Sequence, residues 1–342
     1  MIPNKCEICN EGTLTEMLED DLEYSTCNSC GSEQADEYQM LKNKNSNKNI
    51  VVISLFDGIS CGLQALKNLG YKNITYFAAE IDDNAIKVSQ DNHPEIIRLG
   101  DVKTVKIKNG YIESENGRWR LGGENYYEKI DLLLAGSTCQ GFSFAGKQLN
   151  FNDPRSSLFF EFIRIKKEIE EYQGSGTFDF LLENVKMKSE YEDIITEYLK
   201  VWPVKINSKA FTAQNRLRYY WSSLTPTTVY GEKDVIKNDD APNIEDILES
   251  KDYNGVWTWP RGYNKGGTRL SDKMPCITTS SWQHNFLIEL KNGSRRKFTP
   301  IECERAQGLP DDYTRAVSDN QRYKLLGNGW TVPVIEYILK NM

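Results

Sequence analysis

The stretch Ile50-Val-Val-Ile-Ser-Leu-Phe56-Asp-Gly-Ile-Ser-Cys-Gly62 decides the fold of this 342-residue chain. Its first seven residues form a nearly continuous apolar run, as in a strand that is buried on both faces of a parallel sheet. Gly58 and Gly62 predict a tight turn. The residues that follow have apolar side chains at helical spacing and stop at Gly70. The stretch therefore predicts a buried strand, a turn and a helix in succession.

The same alternation continues along the chain. Further apolar runs of strand length occupy residues 74–79, 130–135 and 178–182. Strands that alternate with helices form parallel sheets covered by helices on both faces. We therefore expect an α/β fold with a doubly wound, Rossmann-like sheet.

The composition is typical of a water-soluble globular protein, with 39% hydrophobic residues, 27% charged residues and a mean hydropathy of −0.58. No apolar run approaches the roughly 18 residues of a transmembrane helix, and the N-terminus lacks the apolar core of a secretory signal. We expect a cytoplasmic protein without a membrane partner, of undetermined oligomeric state. The net charge of −7 argues against a basic coat but leaves room for a local basic groove.

Two close cysteine pairs lie near the N-terminus, Cys6 with Cys9 and Cys27 with Cys30. Each pair can present two thiolates to one ion, and the intervening residues suit a hairpin that brings the pairs together. We predict a structural Zn²⁺ held by these four cysteines in a zinc ribbon over residues 1–36, whose folding depends on the metal. Nucleic-acid contact and a structural cap are both open as its role. The polar residues 37–49 have the composition of a linker.

Polar residues follow several of the predicted strands. Ligands of doubly wound sheets bind beyond the carboxyl ends of the strands. Glu80 follows the second strand, where it can accept hydrogen bonds from a ribose diol, and Asp101 is placed to accept from an adenine amino group. A dinucleotide dehydrogenase would require G-x-G-x-x-G, of which only Gly58 and Gly62 are present. This difference favours a nucleoside cofactor without phosphates, such as S-adenosyl-L-methionine.

A second group of motifs surrounds Cys139. The segment Gly136-Ser-Thr-Cys139-Gln-Gly-Phe-Ser143 comes directly after a predicted strand, and Leu182-Glu183-Asn184-Val185 ends another. Gln214-Asn-Arg216-Leu-Arg218-Tyr-Tyr-Trp221 supplies two arginines, and residues 299–313 and 326–335 complete the set. In these motifs, which keep the same order over nearly all of residues 50–342, the chain resembles the DNA cytosine-C5 methyltransferases. Residues 155–162 and the tryptophan-containing ending are most similar to the animal de novo enzymes.

The resemblance implies a class I methyltransferase domain that methylates C5 of cytosine in double-stranded DNA with S-adenosyl-L-methionine. Cys139 would add to C6 of a flipped-out cytosine, which makes C5 nucleophilic. Glu183 would protonate or hydrogen-bond N3. Arg218 would favour the Cys139 thiolate and hold the cytosine carbonyl, and Arg216 belongs to the same catalytic motif. The base that removes the C5 proton is unassigned, and water is as good a candidate as any side chain.

The resemblance also assigns a cofactor site. Phe56, Glu80, Asp101 and Asn328 carry over as contacts to adenine, ribose and methionine, and Trp330 falls in the same closing motif. Neighbouring positions are expected in the same pocket, namely Asp57, Gly58, Gly62, Ile81 and Val102. The family usually has proline before the nucleophile, whereas this chain has Thr138, which puts the rigidity of the loop 141–155 and the turnover rate in question.

The motifs divide the chain into a catalytic domain (50–223), a small target-recognition region (224–298) and C-terminal motifs (299–342) that pack back on the catalytic domain. The recognised DNA sequence does not follow from the residues. Two alternatives to DNA methylation remain open: a tRNA cytosine-5 methyltransferase, and a catalytically weak DNA-binding or regulatory homologue. A zinc-ribbon adaptor with a degenerate Rossmann domain is a third.

Several residues outside these motifs have simpler interpretations. His93 is read as a loop residue before Pro94, and His284 as a surface residue or a DNA contact. The remaining cysteines, Cys61, Cys276 and Cys303, are expected to be small packed residues. The basic run 295–297 fits phosphate contact and plain solvation about equally well.

Overall fold

The computed structural model describes the chain with gaps, and side chains from residue 41 onward except that of Ser157. The described residues are 14–19, 22–27, 33–35, 37–121, 129–136, 157–224, 240–260, 265–270, 272–279 and 285–342. They fall into two compact units, Met1–Asn49 with Leu66–Ile74, and Ile50–Ala65 with Thr75–Met342.

The first unit contains a three-stranded antiparallel sheet followed by a helix. Its elements are β1 (Leu14–Glu19), β2 (Leu22–Cys27), β3 (Glu33–Ala35) and α1 (Glu37–Ser46). The strands pair in the order β1-β2-β3. The cysteines of the predicted zinc ribbon lie outside the described residues, except that the backbone of Cys27 ends β2.

The prediction that residues 37–49 form a linker is wrong, since most of them belong to α1. The side-chain amide of Asn45 donates to the carbonyl of Leu69 at 3.0 Å. A Cβ on Gly70 would lie only 2.6 Å from the Lys42 Cα, and Gly70 has a φ of +88°. These contacts within the unit stabilise a helix that its polar, asparagine-rich sequence favours only weakly.

The elements that follow α1 form an α/β arrangement in which strands and helices alternate along much of the chain. From residue 49 to residue 136 these are β4 (Asn49–Leu55), α2 (Cys61–Asn68), β5 (Asn73–Ala79), α3 (Asp83–Asn92), β6 (Ile97–Gly100), β7 (Lys106–Lys108), β8 (Tyr111–Ser114), β9 (Gly117–Arg120) and β10 (Leu132–Gly136). They continue with α4 (Ser157–Gln173), β11 (Asp179–Val185), α5 (Ser189–Leu199), β12 (Val204–Asn207), β13 (Gln214–Asn215) and β14 (Leu217–Ser222). The four strands and the helix predicted from apolar runs are confirmed within a few residues.

A seven-stranded sheet forms the centre, in the order β12-β14-β11-β10-β4-β5-β6. Neighbours β4, β10 and β11 run parallel, as do β5 and β6. Strand β14 runs antiparallel to both of its neighbours, which the alternation of strands and helices along the chain does not predict. Because β14 is reversed, its beginning, and not its end, lies at the carboxyl edge of β11.

The C-terminal part adds small sheets and helices. Its elements are α6 (Ile244–Ile247), β15 (Gly255–Thr258), β16 (Arg269–Leu270), β17 (Met274–Pro275), β18 (Phe286–Glu289), β19 (Arg295–Arg296), α7 (Pro300–Gln307), α8 (Asp319–Asn328) and α9 (Val332–Leu339). A four-stranded sheet has the order β16-β15-β18-β19, and β17 pairs in parallel with β13. The strands β7, β8 and β9 form a separate antiparallel meander.

The start of α7 accounts for part of the basic run 295–297. Glu302 is fully buried and closes a capping box with Thr299. The Arg296 guanidinium donates to both of its carboxylate oxygens, at 2.6 and 2.8 Å. Arg295 pairs with Glu289 at 3.0 Å. Arg296 therefore has a structural role through the buried Glu302, whereas Arg295 is half exposed, so phosphate contact and solvation both stay predictions for it.

The central sheet is buried on both faces. Val52, Ile53 and Leu55 of β4 and the first four residues of β10 are shielded from solvent. Burial of such aliphatic side chains contributes about 1.5–3 kcal/mol each, so the strands form a rigid support for the loops at their carboxyl ends. No helix in the described parts of the chain is long and apolar enough to cross a membrane.

Candidate active site

A cavity of about 340 Å³ opens beyond the carboxyl ends of β4, β5, β10 and β11. This volume lies within the range of small-molecule sites. One side, the loop end, is built by the loop Phe56–Ile59 with Glu80 and Asp82. The other side, the ion-pair end, is built by Glu183, Arg218 and Trp330. The remaining lining residues are Cys61, Ala85, Gly136, Val185, Arg216, Lys324, Leu325, Gly327, Asn328 and Gly329.

The loop between β4 and α2 has an unusual backbone. Phe56, Gly58 and Ser60 have φ values of 56°, 57° and 62°. A side chain disfavours this left-handed conformation, so at Phe56 and Ser60 the surrounding structure must impose it. These left-handed residues turn the chain sharply from the buried strand β4 into α2. The residues of this turn from Phe56 to Ile59 line the cavity.

The Glu80 carboxylate is hydrogen-bonded to the loop between β4 and α2. Its Oε2 accepts a hydrogen bond from the backbone N–H of Gly58 at 2.8 Å. Its Oε1 accepts from the backbone N–H groups of Ile81 and Asp82 at 2.8 and 2.9 Å. The carboxylate therefore ties the end of β5 to the turn after β4.

Asp57 forms the centre of a buried polar cluster beside the loop. It accepts hydrogen bonds from the Tyr76 hydroxyl at 2.8 Å and from the Ser60 hydroxyl. Its backbone N–H donates to the Ala79 carbonyl at 3.2 Å. Burial raises the pKa of the Asp57 carboxyl above its usual value, although the hydrogen bond from Ser60 acts in the opposite direction. The cluster accounts for the left-handed conformation of Ser60.

Tyr313, together with His93, supports the same loop through hydrogen bonds. The Tyr313 hydroxyl donates to the Ile59 carbonyl at 2.8 Å, and the His93 Nε2 lies 3.0 Å from that hydroxyl. Because the hydroxyl has one proton, which it donates to Ile59, His93 Nε2 acts as the donor. His93 is 2% exposed and lies directly after α3 as its C-cap, so the prediction of a loop residue is confirmed, although its side chain is buried. His93 and Tyr313 are 220 residues apart in the sequence, so no local sequence pattern predicts this contact.

Lys324 and Asp82 form a bridge at the loop end that the sequence motifs did not reveal. The Lys324 ammonium lies 3.1 Å from Asp82 Oδ2, and both residues line the cavity. Asp82 also caps α3 by accepting from the Asn84 N–H at 3.0 Å. Partial burial raises the pKa of Asp82, but the hydrogen bonds from Lys324 and from the backbone N–H groups of Asn84 and Ala85, with the charge of Lys324, together outweigh it and lower the pKa.

At the ion-pair end, strand register brings Glu183 and Arg218 together. Glu183 lies opposite Gly136 on one side and Tyr220 on the other. The Arg218 Nε lies 3.1 Å from Glu183 Oε1, and their side chains are only 15% and 10% exposed. The contact is an ion pair and not an aligned hydrogen bond, since Arg218 Nε has no well-directed acceptor. Burial opposes the charge of Arg218, but the Glu183 carboxylate raises its pKa.

Arg216 has a different environment from Arg218. Its guanidinium is buried and donates to the carbonyls of Ile277, Gly327 and Gly329 at 3.0–3.1 Å. Burial, and then the like charge of Arg218, lower its pKa. Arg216 thus connects the closing motif after α8 to the segment after β17, and its donors are occupied by the protein itself.

Trp330 connects the two ends of the cavity. Its indole N–H donates to Glu183 Oε2 at 3.2 Å, and its backbone hydrogen-bonds the thiol of Cys61. Burial raises the pKa of Cys61 to about 12, so this thiol stays protonated at neutral pH. Cys61 and Cys303 are buried as expected, whereas Cys276 is only partly buried. Cys276 lies 3.4 Å from Arg216 Nη1 and 3.7 Å from Arg218 Nη2, so it packs against the arginines of the cavity wall.

The other predicted cofactor residues are placed apart from the cavity wall. Ile81 is 70% exposed. The Asp101 carboxylate accepts from the Lys103 N–H at 3.0 Å, and Val102 is buried in the core. Gly62 lies behind the wall, where a Cβ would be 3.4 Å from the Trp330 ring. A role for these four in cofactor binding stays a prediction.

Two predicted features lie outside the described residues. Cys139 and the loop 141–155 follow β10, whose last residue, Gly136, lines the cavity. The zinc ligands Cys6, Cys9 and Cys30 precede β1 or lie between β2 and β3. Within the described part of the chain no cluster of three or more metal-binding side chains occurs.

Comparisons with known proteins agree with this geometry. The family described as C-5 cytosine-specific DNA methylase matches residues 50–251 and 188–342. The Type II methyltransferase M1.ScrFI of Lactococcus lactis subsp. cremoris is 30% identical over 85% of this chain and 77% of its own length. The chain belongs to the C-5 cytosine-specific DNA methylase family.

Further comparisons agree with the assignment of the chain to this family. The Type II methyltransferase M.HpaII of Haemophilus parainfluenzae is 28% identical over 89% of this chain and 93% of its own. The structure of the Entamoeba histolytica methyltransferase EhMeth matches with a TM-score of 0.61 at 18% identity, covering 86% of this chain and 98% of that one. A Spodoptera frugiperda DNMT2 matches with 0.58 at 21% identity, covering 86% and 99%. At these identities the two structures establish the fold alone.

The loop end suits the methyl donor of this family. Asp57, Glu80 and Asp82 line it, and the Gly58 N–H is already bonded to Glu80. Asp57 is buried and bonded to Tyr76 and Ser60, and Lys324 is paired with Asp82. The carboxylates of Glu80 and Asp82 still outnumber this ammonium, which disfavours a phosphate. The ring of Phe56 supplies an apolar surface beside them. The residues therefore fit a nucleoside with a positively charged sulfonium, which is the chemistry of S-adenosyl-L-methionine.

Proposed function

We propose that this protein methylates C5 of cytosine in double-stranded DNA, with S-adenosyl-L-methionine as methyl donor and Cys139 as nucleophile. The observation that carries the proposal is the buried ion pair of Glu183 and Arg218, which faces the same cavity as the loop after β4. A buried ion pair costs more free energy in desolvation than it usually returns in stability. Its presence at a cavity wall, beside the end of the strand that precedes Cys139, indicates a chemical role.

Cys139 is the group that would start the reaction. It follows Gly136 by three residues, and three consecutive Cα–Cα steps span no more than about 11 Å. Gly136 lines the cavity, so the nucleophile belongs to the segment that continues from the cavity wall. Arg218 supplies a positive charge at the same wall, and a nearby cation favours the thiolate form of cysteine.

Three side chains would act on the cytosine ring. The Cys139 sulfur forms a bond to C6, and the electron pair of the C5=C6 double bond moves toward C5, which becomes the nucleophile. Glu183 hydrogen-bonds or protonates N3, which stabilises the charge that enters the ring. Arg218 holds the carbonyl oxygen. A base, either water or a side chain, then takes the C5 proton, and the bond between sulfur and C6 breaks.

The bound cofactor would supply the electrophilic methyl group. C5 would form its bond to that methyl as the bond from the methyl to the sulfonium sulfur breaks, before the C5 proton is lost. Phe56 and Glu80 would hold its nucleoside, and Asp82 with Asn328 would line the path toward the ion-pair end. Glu80 is fixed by three backbone N–H groups, so it offers a rigid carboxylate edge to the ribose hydroxyls. Such prior fixation lowers the entropy cost of binding.

The region 224–298 is proposed to recognise the DNA sequence. Trp259 is 43% exposed on the loop after β15, and Arg269 in β16 is exposed with its guanidinium bonded to the Asn254 carbonyl. Aromatic and arginine side chains are suited to base edges and phosphates. Residues 50–223 are proposed as the catalytic domain, and residues 299–342 as the segment that completes the cavity.

The proposal is tested by methyl transfer from labelled cofactor to two substrates, duplex DNA and transfer RNA. We expect label in DNA and none in RNA. Bisulfite sequencing of host DNA after expression then gives the methylated site. Label in RNA alone would assign the protein to tRNA methylation, and no label in either would favour a regulatory role.

A structural zinc in residues 1–36 is a separate proposal, supported by the spacing of Cys6, Cys9, Cys27 and Cys30. Elemental analysis of the purified protein should find one zinc per chain, and Cys9→Ser should lose it. Cys303→Ser serves as the control, since Cys303 is fully buried in α7. A metal-free protein with a folded N-terminal unit would contradict the proposal.

A further inference from the structure

We propose that Trp330 is a positioning residue for Glu183. Its indole N–H holds one carboxylate oxygen while Arg218 is paired with the other. The inference rests on the proposed function, because it assigns Glu183 to the cytosine ring. It adds a role in the chemistry for a side chain that lines the cofactor cavity.

The two oxygens of Glu183 have different partners on different elements. Oε2 accepts from the Trp330 indole N–H at 3.2 Å, and Oε1 lies 3.1 Å from Arg218 Nε. Trp330 follows α8, whereas Arg218 lies near the start of β14. A carboxylate that is held at both oxygens from two directions cannot rotate freely. The plane in which Glu183 meets a base is therefore set by these two side chains together.

The surrounding backbone is shaped to admit the indole. A Cβ on Gly136 would lie 2.8 Å from the Trp330 Nε1, which is closer than a Cβ packs. Gly136 does not have a positive φ value, so backbone conformation does not require glycine there. The ring itself accounts for Gly136. The indole nitrogen is thus brought close to the end of β10, which is the strand that precedes Cys139.

The indole N–H of Trp330 distinguishes a positioning residue from an apolar residue that only lines the cavity. Any aromatic ring could pack beside Gly62 and line the cavity, but only a donor can bind Glu183 Oε2. Hydrogen bonds to a charged group are stronger than those between neutral groups. Since Glu183 is 7% exposed, water has little access to replace the lost donor. Removal of the N–H should therefore affect the step that uses Glu183 and spare the binding of the cofactor.

The test is a double-mutant cycle with Trp330→Phe and Glu183→Gln in the full-length protein. Trp330→Phe keeps a ring and removes the donor. We expect kcat on duplex DNA to fall about 10-fold, as for the loss of one hydrogen bond to a charged group. The affinity for S-adenosyl-L-methionine, measured by calorimetry, should change less than about threefold. In the Glu183→Gln background the same Trp330→Phe change should lower kcat less than about twofold further, because the two residues act as one unit.

Trp221→Phe is the matched control. The Trp221 indole N–H donates to the Thr196 hydroxyl at 3.0 Å in the core, so this variant also loses a buried donor, but at a distance from the cavity wall. We expect lower thermal stability and an unchanged kcat.

The outcomes separate the two proposals. Equal effects of Trp330→Phe with and without Glu183→Gln, in an active enzyme, would contradict the positioning role alone. So would a loss of cofactor affinity with unchanged kcat, which would make Trp330 a wall of the pocket. A wild-type protein that binds the cofactor but methylates no DNA would contradict the proposed function instead.

Discussion

The two ends of the cavity differ in how their polar groups are satisfied. At the loop end, Glu80 is bonded to three backbone N–H groups, and Asp57 is bonded to Tyr76 and Ser60. At the ion-pair end, the side chains of Arg218 and Trp330 hold the Glu183 carboxylate. The Glu80 carboxylate is therefore fixed by the main chain, whereas the Glu183 carboxylate is held by side chains.

This difference matches the tasks of the two ends. A cofactor is bound with least cost by a site whose shape exists beforehand. A group that assists proton and charge transfer must be able to form new bonds when the base arrives. The comparison predicts that changes at the ion-pair end lower the rate of the chemical step, whereas changes at the loop end lower the affinity for the cofactor.

The largest effect is expected for Cys139→Ser. The serine oxygen is a far weaker nucleophile than a thiolate at neutral pH, so methylation should become undetectable. DNA with 5-fluorocytosine at the target should form a covalent complex with the wild-type protein, because fluorine cannot leave as a cation. The variant should form none, as measured by denaturing electrophoresis.

Cofactor affinity and circular dichroism serve as controls for Cys139→Ser, since the change is nearly isosteric. Covalent trapping that persists in the variant would show that another residue attacks C6. Cys61 would be a poor substitute on chemical grounds, since burial raises its pKa to about 12.

The next largest effect is expected for Arg218→Lys. Lysine keeps the charge beside Glu183 but loses the planar fork of donors. We expect kcat to fall about 100-fold, as for the loss of a donor to a developing negative charge, with cofactor affinity little changed. Steady-state kinetics with saturating DNA measures it.

Arg216→Lys is the matched variant for Arg218→Lys, because it makes the same substitution two residues away in the sequence. Because the Arg216 guanidinium is bonded to three carbonyls of the protein, we expect a loss of about 2 kcal/mol in the free energy of unfolding. Its kcat, measured on folded protein, should fall less than that of Arg218→Lys. The reverse ranking would show that Arg216, and not Arg218, faces the reacting base.

At the loop end, Glu80→Ala should weaken the binding of S-adenosyl-L-methionine by about 1–3 kcal/mol, the cost of leaving polar groups unpaired at a binding site. Three backbone N–H groups lose their acceptor, and the ribose loses its partner. Calorimetry measures the change. Asp83→Ala is the control, since Asp83 is exposed in the first turn of α3. Equal affinities of the wild type and Glu80→Ala would remove Glu80 from the site.

The smallest effect is expected for Lys324→Ala. Its partner Asp82 is 31% exposed and Lys324 itself 44% exposed, and such ion pairs contribute less than about 1 kcal/mol. Cofactor affinity should fall less than about threefold, and the difference from the wild type should shrink at high salt because exposed charges are screened. Lys340→Ala is the control. A loss as large as that of Glu80→Ala would mean that Lys324 binds the cofactor directly.

The sequence by itself determined the alternating α/β plan and the positions of several polar groups at strand ends. Apolar runs marked β4, β5, β10 and β11 because a strand buried on both faces needs continuous apolar side chains. Glu80 and Glu183 could be singled out because each is a charged residue at the end of such a run. These are local patterns, and a local pattern can be read from neighbouring residues.

Only the tertiary structure decided how the ends of the cavity are completed. The reversed direction of β14, which brings Arg218 beside Glu183, follows from pairing with β11 and β12. Trp330 meets Glu183 over 147 positions of sequence, and Tyr313 meets Ile59 over 254. The helix α1 depends on contacts with Leu69 and Gly70. Such contacts arise because the folded chain satisfies its buried polar groups with whichever partners packing brings near, and residue type and spacing along the chain do not record that proximity.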